Sequence, residues 1–593
     1  MLENEQWFLK NRKGNIAKIS KELNISPLIA KLLVSRSVNT VEQARTFLNP
    51  DVDKMYDPML LKDMDRAIDI ILEAAKNDKK VLIIGDYDVD GIMGIYILNA
   101  VFTRIFSKVT YCIPHRMEDG YGINDKIIEK AWEDGVDLIV TCDNGISAYE
   151  QMIYANQKGM KVVITDHHDI PYESMEDGVK KYKIPPADAV VDPRRSDCQY
   201  PYKGLCGAVV AFKLAMALMN ELGITIEKND WDELFCFAAI ATICDIVELL
   251  DENRIIVSNG LKLLNRGIQN PGLMELIDIC GLTGKEMTTY EIGHVLGPCI
   301  NATGRLGAAD ISLELLMEND RNTAKKMAQD IQELNKKRQC ITKEAFESAE
   351  NLVLEENLAQ KCIMVLYLPE IHESICGIVA GKIKDKYNRP AIVLTDSQQG
   401  YVKGSGRSVD NYNLLDGINQ VKNFLIKLGG HEMAVGVSLE KDMIAQFSES
   451  LNQHCCLTEQ DLQPKQLIDM SLNGKDINFE LLQELKCLEP YGRGNLKPVF
   501  AIKNIILRHA ALVGNKKNVI KIKFALSEKK SFDAVFFGDI EVFLKVLKLT
   551  LDDRCILRSK TRNKLVDVIF HLEINEYNGV KKMQLVVKSI RNA

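Results

Sequence analysis

The stretch VLIIGDYDVDG, residues 81–91, decides how the first half of the chain is interpreted. Its four leading apolar residues predict a short buried strand. Three carboxylates then follow at alternate positions, Asp86, Asp88 and Asp90. Like charges this close repel one another, and each costs free energy to desolvate. Either solvent or a bound metal must offset that cost.

The segment around this stretch predicts an α/β fold. Short apolar runs alternate with helical stretches from about residue 56 to residue 320. Such alternation indicates a parallel sheet covered by helices. The predicted strands are VLIIGD, VTYCIP, LIVTCD, VVITDHH and AVVD.

The chain of 593 residues is too long for one core, so several domains are expected. Residues 321–352 have helical periodicity without Gly or Pro and predict a long connecting helix. Many short strands near the C-terminus suggest a barrel or sandwich. The predicted segments are a helical lead-in (1–55), a parallel-sheet domain (56–320), the connecting helix (321–352), a second α/β domain (353–460) and a strand-rich domain (461–593).

Composition excludes several classes of protein. Hydrophobic residues make up 46% of the chain and charged residues 26%, as in ordinary globular proteins. The net charge of −7 shows no overall basic footprint for nucleic acid, although a local basic channel stays compatible with it. Fifteen cysteines without a C-x-x-C pair predict reduced thiols and a cytoplasmic protein. We expect no signal peptide and no membrane span.

Acidic and histidine residues recur where the predicted strands end. Open parallel sheets place their sites at the carboxyl ends of strands. Beyond the opening stretch, these residues are Asp143, Asp166, His167, His168 and, after an apolar helix, Asp245. If the chain stays extended past the first strand, Asp88 and Asp90 share one face and can bind neighbouring metals. Carboxylates with imidazoles suit manganese or magnesium, and two such metals can activate water for phosphoester hydrolysis.

Each of these motifs has a simpler explanation when taken alone. The DxDxDG run is typical of a solvated turn or a calcium loop, and DNG of a turn. The DHH run is compatible with a solvated loop, and Asp245 with a helix cap or a surface acid. Their ordered arrival in one α/β region favours a shared metal site.

Several motifs resemble those of a known family. GDYDVDG, CDNGIS, TDHHD and VVDPRRSDCQYPYKGLCG look like the four ordered motifs of the DHH phosphoesterases. LGPCINATGRLGAAD, GSGRS, KLGGHEMAVG and LEPYGRGNLKPVF resemble the bacterial RecJ single-stranded-DNA-specific exonucleases within that superfamily. The resemblance covers nearly the whole chain beyond residue 55. It implies a DHH catalytic domain, a DHH-associated domain and a C-terminal OB-like barrel that binds nucleic acid.

The resemblance also implies a role for each acidic or histidine residue. Asp143 would bridge two divalent metals, with manganese preferred and magnesium possible. Asp88 would hold one metal, and Asp90, His167 and Asp245 would hold the other. His168 would contact the scissile phosphate, while Asp86 and Asp166 would orient their neighbours. Many relatives carry a metal-binding histidine where this chain has Ile84, so the Asp88 metal should have fewer protein ligands.

Candidate phosphate-binding residues lie in both halves of the chain. Arg116 and Arg305 offer bidentate guanidinium contacts to phosphate. The GSGRS and LGGH runs, in which Gly lets backbone N–H groups approach an anion, resemble phosphate-binding pieces of the family. They contribute Arg407, Ser408, Gly429, Gly430 and His431. Without the resemblance, two Gly turns and a surface Arg would explain these runs equally well.

The C-terminal strands carry lysines that suit an OB-type groove for single strands. They are Lys516, Lys517, Lys521 and Lys523, although for any one of these lysines taken alone a solvated hairpin face is the favoured explanation. The resemblance implies a monomeric 5′-to-3′ exonuclease that releases 5′-mononucleotides in DNA repair and recombination. Its expected partners are single-stranded DNA, single-strand-binding protein and a RecQ-type helicase.

Two other functions compete with this one. A DHH phosphodiesterase of short oligonucleotides or cyclic dinucleotides would typically lack the OB-like tail and the LEPYGRGN-type element. A non-catalytic replication or repair scaffold would have lost its metal ligands, whereas Asp88, Asp90, Asp143, His167 and Asp245 are all present.

Overall fold

The computed structural model describes residues 5–116, 122–174, 180–224, 227–397, 399–514, 517–526, 530–551, 556–559, 564–577 and 579–593. The chain forms two compact units. The parallel-sheet unit comprises Arg45–Gln339 and Glu489–Leu496, and the strand-rich unit comprises the rest of the chain. Lys516 lies outside the described residues.

The lead-in begins with one short strand and continues as three helices. Its elements are β1 (Gln6–Leu9), α1 (Ile16–Leu23), α2 (Pro27–Ser35) and α3 (Val41–Leu48). Helix α2 begins as its sequence predicts, because Ser26 caps the first turn and Pro27 takes the position where no N–H is needed. One face of α2 is buried, which ties the lead-in to a hydrophobic core.

A five-stranded parallel sheet with the order β3-β2-β4-β5-β8 organises the parallel-sheet unit. Every residue of β2 is buried because helices cover both faces, which explains its unbroken apolar run. The elements are α4 (Met64–Lys76), β2 (Val81–Ile84), α5 (Val89–Phe102), β3 (Val109–Cys112), α6 (Asp125–Glu133), β4 (Leu138–Cys142), α7 (Tyr149–Gln157), β5 (Lys161–Thr165), β6 (Tyr172–Ser174), β7 (Lys180–Tyr182) and β8 (Ala189–Val191).

The chain does not stay extended after β2, so the expected alternation of side chains past that strand is wrong. Helix α5 begins at Val89, with Asp88 as its N-cap and Asp90 in its first turn. The Asp88 carboxylate accepts the backbone N–H groups of Asp90 at 2.9 Å and Gly91 at 3.2 Å. These otherwise unpaired helix N–H groups favour a carboxylate cap over a continuing strand.

A helical layer follows the sheet. Helix α8 is buried along most of its length, which matches its almost continuous apolar sequence. The helices are α8 (Gly207–Leu222), α9 (Lys228–Cys244), α10 (Asp251–Arg266), α11 (Pro271–Ile279), α12 (Thr289–Glu291), a π-helical turn (Ile292–Leu296), α13 (Gly297–Leu306), α14 (Asp310–Met317) and α15 (Arg321–Glu355). Helix α15 is the predicted connecting helix, and the division between the units falls within it.

The second α/β domain contains a mixed five-stranded sheet with the order β12-β13-β11-β10-β9. Only β9 and β10 pair in parallel. Its elements are β9 (Met364–Tyr367), α16 (Cys376–Tyr387), β10 (Ala391–Asp396), β11 (Val402–Arg407), α17 (Leu414–Asn419), β12 (Leu425–His431), β13 (Ala434–Leu439) and α18 (Ile444–Gln453).

The C-terminal strands close into a barrel. Strand β16 pairs with both β17 and β21, and the circuit continues through β22 and β18 back to β17. The elements are β14 (Lys465–Ile468), β15 (Met470–Ser471), α19 (Phe479–Leu485), β16 (Phe500–Val513), β17 (Val519–Ala525), β18 (Ser531–Phe536), α20 (Ile540–Leu547), β19 (Leu549–Leu551), β20 (Ile556–Ser559), β21 (Lys564–Tyr577) and β22 (Val580–Asn592). The α/β class with a C-terminal barrel is therefore confirmed.

The lead-in as far as Ala44 belongs to the strand-rich unit, through contacts that its sequence did not suggest. Strand β1 pairs in parallel with β14. Buried Asp469 accepts a hydrogen bond from Lys10 at 3.0 Å, and Arg591 stacks on the Trp7 ring at 4.2 Å. In the part of the chain that the structure describes, no helix is long and apolar enough to span a bilayer.

Candidate metal centre

The acidic residues of the parallel-sheet unit gather at the carboxyl ends of adjacent strands. Asp86 and Asp88 follow β2, Asp143 follows β4, and His167 follows β5. Asp245 caps the C-terminal end of α9. Three carboxylate oxygens, from Asp86, Asp88 and Asp143, lie within 4.8 Å of one another. We call this set the first ligand group.

The second ligand group consists of Asp90, His167 and Asp245, whose ligand atoms also lie within 4.8 Å of one another. The two groups adjoin, because the His167 Nε2 atom is 3.1 Å from the Asp143 Oδ1 atom. The ligand atoms of Asp143, His167 and His168 also lie within 4.8 Å of one another. The structure thus brings together every residue that was predicted to bind metal.

Backbone contacts fix the ligand atoms of the second group. The Nδ1 atom of His167 is 3.1 Å from the carbonyl oxygen of Leu205, and donation there leaves Nε2 as the acceptor. Burial lowers the pKa of His167 to about 4, which keeps the ring neutral. Asp90 accepts the N–H groups of Gly207 at 2.6 Å and Ala208 at 2.9 Å, at the N-terminus of α8. The helix dipole there stabilises its negative charge.

The remaining acids carry the cost of desolvation. Burial and the charge of Asp88 raise the pKa of Asp86 to about 8. Burial, followed by the charge of Asp90, also raises the pKa values of Asp88, Asp143 and Asp245. These shifts are those of carboxylates gathered without a positive charge, and a divalent cation would reverse them.

The donor set fits divalent metal ions. Among the described residues, the buried oxygens Asp86 Oδ1 and Asp245 Oδ2 have no hydrogen-bond partner, and each belongs to one ligand group. Carboxylate-rich sites with one imidazole suit manganese or magnesium. Asp86 was predicted only to orient its neighbours, but its position also allows it to coordinate. It would supply a ligand that Ile84, buried within β2, cannot provide.

Asp166 and His168 form a separate pair beside the ligand groups. The Asp166 Oδ1 atom is 2.7 Å from the Nδ1 atom of His168, and Oδ2 accepts the N–H of Ile146 at 2.9 Å. Burial opposes ionisation of Asp166, but the hydrogen bond from His168 prevails and lowers its pKa to about 2. Burial likewise opposes protonation of His168, and the same hydrogen bond raises its pKa to about 9. The pair can therefore present a positively charged imidazole.

Arginines gather beside Tyr87. The Arg116 guanidinium lies 4.7 Å from the centre of the Tyr87 ring. Burial, then the charges of Arg116 and Arg338, lowers the pKa of Arg305 to about 10. Arg338, on α15, was not singled out from the sequence because it lies in a helix with no motif. Arg305, which also interacts with Asp88, thus has two other guanidinium groups near it, and such a cluster attracts anions strongly.

Two further contacts at the centre were not predicted. The Asn301 side chain accepts the N–H of Val89 at 3.1 Å and so supports the turn that carries Asp88. The turn after Asp245 rests on the segment Glu489–Leu496, where the Leu249 N–H donates to the Arg493 carbonyl at 2.8 Å. The LEPYGRGN motif drew attention to this segment in the sequence. The residues that the segment contacts lie about 240 positions earlier in the chain, so the motif did not indicate them.

The phosphate-binding candidates of the second α/β domain lie at one end of its sheet. Arg407 and His431 pair with the same residue of β13, Ala434, from opposite sides. Gly429 has open space above it, and Gly430 has a φ of +136°. The fifth residue of this set, Ser408, is buried and donates to the Tyr412 carbonyl at 2.6 Å. Phosphate binding by these five candidates stays a prediction.

Comparison with known proteins gives a consistent result. Family models match residues 80–241 (DHH family, N-terminal domain), 360–455 (DHHA1 domain) and 468–589 (RecJ OB domain). The chain is 35% identical to the single-stranded-DNA-specific exonuclease RecJ of Bacillus subtilis, over 97% of this chain and 69% of that protein. It is 32% identical to the protein of the same name from Haemophilus influenzae, over 96% of this chain and 97% of that protein.

Solved structures agree in fold. RecJ of Thermus thermophilus in complex with Mn²⁺ matches with a TM-score of 0.81 at 24% identity, covering 100% of this chain and 80% of that one. A structure of exonuclease RecJ bound to manganese matches with a TM-score of 0.56 at 29% identity. The match covers 66% of this chain and 94% of that one.

Proposed function

Because the chain belongs to the RecJ family of single-stranded-DNA-specific exonucleases, we propose that it hydrolyses single-stranded DNA from the 5′ end and releases 5′-mononucleotides. The observation that carries this proposal is the pair of adjoining ligand groups around Asp143, with His167 Nε2 only 3.1 Å from Asp143 Oδ1. The 5′ polarity and the mononucleotide product follow from the family resemblance.

Each site residue has a proposed task. Asp86, Asp88 and Asp143 would hold one divalent ion, and Asp90, His167 and Asp245 would hold the other, with Asp143 beside His167 as the shared ligand. Two such ions, manganese or magnesium, would polarise the scissile phosphate and activate the attacking water. The manganese in a similar structure supports this choice of metal.

The remaining residues bind and orient the phosphate. Protonated His168, held by Asp166 through Nδ1, presents Nε2 as a donor to a phosphate oxygen. Arg116, Arg305 and Arg338 attract the backbone phosphates, since planar guanidinium groups bind phosphate in a bidentate manner.

The two competing functions are less well supported. A dinucleotide phosphodiesterase does not need the closed barrel, yet the barrel matches the RecJ OB domain model over residues 468–589. A scaffold without activity does not need the metal ligands, yet all of them converge. Residues 56–320, 353–460 and 461–593 stay our proposed catalytic, DHH-associated and OB-like domains.

We also propose a monomeric enzyme of the cytoplasm that works in DNA repair and recombination. All described cysteines are free thiols, which suits a reducing compartment. Single-strand-binding protein and a RecQ-type helicase are its proposed partners on the basis of the family resemblance.

A nuclease assay tests the proposal. The protein is incubated with Mn²⁺ and a 5′-labelled single strand, a 3′-labelled single strand, or a duplex. We expect early release of labelled mononucleotide from the 5′-labelled strand alone. Equal degradation of the duplex, or early release from the 3′ label, would contradict the proposal. The Asp143→Ala protein is the control for a contaminating nuclease and should release nothing.

A further inference from the structure

Two cysteine thiols meet between α11 and α13, and neither belongs to the ligand groups. Cys280 caps the C-terminal end of α11, and Cys299 lies in the first turn of α13. Their Sγ atoms are 3.7 Å apart. Cys299 is 2% exposed, whereas Cys280 is partly exposed. The pair is therefore close to bonding distance and reachable from solvent on the Cys280 side.

Helix α15 supplies the polar surroundings of this thiol pair. The Asn335 side-chain N–H₂ donates to the Cys299 sulfur at 3.1 Å, and its oxygen accepts from Arg338 Nε at 3.0 Å. The hydrogen bond from the Cys280 thiol, with further help from Asn335 and Arg338, lowers the pKa of Cys299 against the effect of burial. A thiol in these surroundings ionises more readily than an ordinary buried cysteine, and the thiolate is the reactive form.

Helix α13 connects this thiol pair to the metal centre. Asn301 accepts the N–H of Val89 at 3.1 Å, directly after Asp88. A Cβ atom on Gly304 would lie only 2.4 Å from the Tyr87 carbonyl oxygen, so the helix packs against this turn without spare room. Any shift of α13 must therefore move the turn between Asp86 and Asp88.

We propose that Cys280 and Cys299 form a reversible disulfide that acts as a redox switch on the metal centre. The oxidant is hydrogen peroxide. The Cys299 thiolate attacks one peroxide oxygen, the O–O bond breaks, and Cys299 becomes a sulfenic acid while one water leaves. The Cys280 sulfur then attacks the sulfenic sulfur, the S–O bond breaks, and a second water leaves. Two thiols and one peroxide thus give one disulfide and two waters.

Disulfide formation requires the two sulfur atoms to move closer together. A disulfide has an S–S length of about 2.05 Å, so the two sulfur atoms must approach by about 1.7 Å from their present separation. In this proposal α13, which carries Cys299, shifts toward the end of α11 to close part of that distance. A displacement of about 1 Å in a catalytic constellation can cost about a hundredfold in rate, so a fall in nuclease activity of about tenfold or more is expected.

Peroxide treatment of the full-length protein tests the switch. After oxidation and blocking of free thiols, peptide mass spectrometry should find a Cys280–Cys299 linked peptide. Dithiothreitol should remove it. If other cysteines are oxidised and this peptide is absent, the proposal is wrong. This measurement needs no variant and does not depend on the proposed nuclease function.

Activity assays test the consequence. Oxidation should lower nuclease activity in the wild type and in Cys340→Ser, a matched control with an exposed cysteine on α15. The Cys280→Ser and Cys280→Ala proteins should keep their activity in peroxide. If they lose as much activity as the wild type, the switch is overturned, whatever the mass spectra show of the disulfide. Absence of activity in untreated wild type would instead contradict the proposed function.

Discussion

At the scale of single residues, the local surroundings give different pKa values to two aspartates for which the motifs imply the same role. Asp86 and Asp166 were both predicted to orient their neighbours. Burial and the charge of Asp88 raise the pKa of Asp86 to about 8, whereas hydrogen bonding to His168 outweighs burial and lowers that of Asp166 to about 2. Asp86 is protonated near neutral pH unless a cation binds beside it, as expected of a metal ligand. Asp166 stays ionised and holds the His168 imidazole.

Replacing Asp166 by asparagine tests its role. The change removes the charge that keeps His168 protonated, so the pKa of His168 should fall. Activity should drop by about 10- to 100-fold, as is usual for residues that orient active-site groups. The pH dependence of kcat/KM measures both effects, since the limb assigned to His168 should move to lower pH.

Asp169→Asn is the matched control for that experiment. Its carboxylate is mostly exposed and pairs with Arg194 at 2.6 Å. Its pH profile should coincide with that of the wild type. An Asp166→Asn profile that also coincides with the wild type would exclude the orienting role.

Metal-free protein should lose stability as the pH rises from 6.5 to 8. In this range an unfolded aspartate is ionised, whereas folded Asp86, with a pKa of about 8, retains its proton. The folded state therefore binds more protons, and its stability falls by up to about 1.4 kcal/mol per pH unit for each such proton. His168 acts in the same direction, because its raised pKa of about 9 contributes stability that is lost toward high pH.

Thermal unfolding in EDTA checks this prediction. His167 opposes this trend only weakly, because above pH 6.5 its unfolded imidazole is less than half protonated and the folded ring is neutral. Added Mn²⁺ should stabilise the protein more at pH 8 than at pH 6.5, since fewer protons must be displaced from the carboxylates. A Tm in EDTA that rises with pH would show that the acids are ionised without metal.

At the scale of secondary-structure elements, the segment Glu489–Leu496 supports the turn that follows Asp245. Buried Arg254 on α10 donates to the Glu489 carbonyl at 2.7 Å, and Thr289 donates to the Tyr491 carbonyl at 2.7 Å. The chain between α19 and β16 thus completes the parallel-sheet unit. An isolated motif cannot reveal such a contact, because its partners are distant in sequence.

Gly492→Ala should destabilise the parallel-sheet unit by about 1–3 kcal/mol. A Cβ atom at this position would lie 2.5 Å from the Leu249 side chain, in the turn after Asp245. Chemical denaturation followed by circular dichroism measures the change. Gly381→Ala, with nothing within 4 Å, is the control and should leave the denaturation midpoint unchanged or raise it slightly. Equal midpoints for both variants would mean that the turn has room to adjust.

At the scale of the whole molecule, a net charge of −7 coexists with locally basic surfaces. Lys521 and Lys523 lie exposed on β17 of the barrel, on the same face because strand residues alternate. Replacing both by alanine should weaken binding of single-stranded DNA and make the salt dependence shallower. The expected change in slope is about 0.7 for each lost phosphate contact.

Fluorescence anisotropy at several salt concentrations measures this effect. Hydrolysis of a dinucleotide, which does not need the barrel, should be unchanged. Lys76→Ala, an exposed lysine at the end of α4, is the control and should keep the wild-type slope. An unchanged slope in the double variant would assign DNA binding to another surface.

Much of the architecture could be predicted from local patterns. The buried run of β2, the alternation of strands and helices, and the uninterrupted periodicity of α15 each depend on neighbouring residues alone. The strand ends then predicted which acids would meet, because parallel strands deliver their carboxyl ends to one edge. The start of α5 was the exception, since the capping preference of Asp88 prevailed over an extended chain.

The sequence by itself thus determined the fold class, the family and the set of metal-binding candidates, because motifs and periodicities are local. Only the tertiary structure decided that Asp86 lies in the first ligand group, beside Asp88 and Asp143. It also decided that the lead-in as far as Ala44 joins the strand-rich unit, and that Glu489–Leu496 joins the parallel-sheet unit. The physical reason is that ligand distances, burial and pKa shifts arise from elements brought together across hundreds of residues, and no local pattern encodes those contacts.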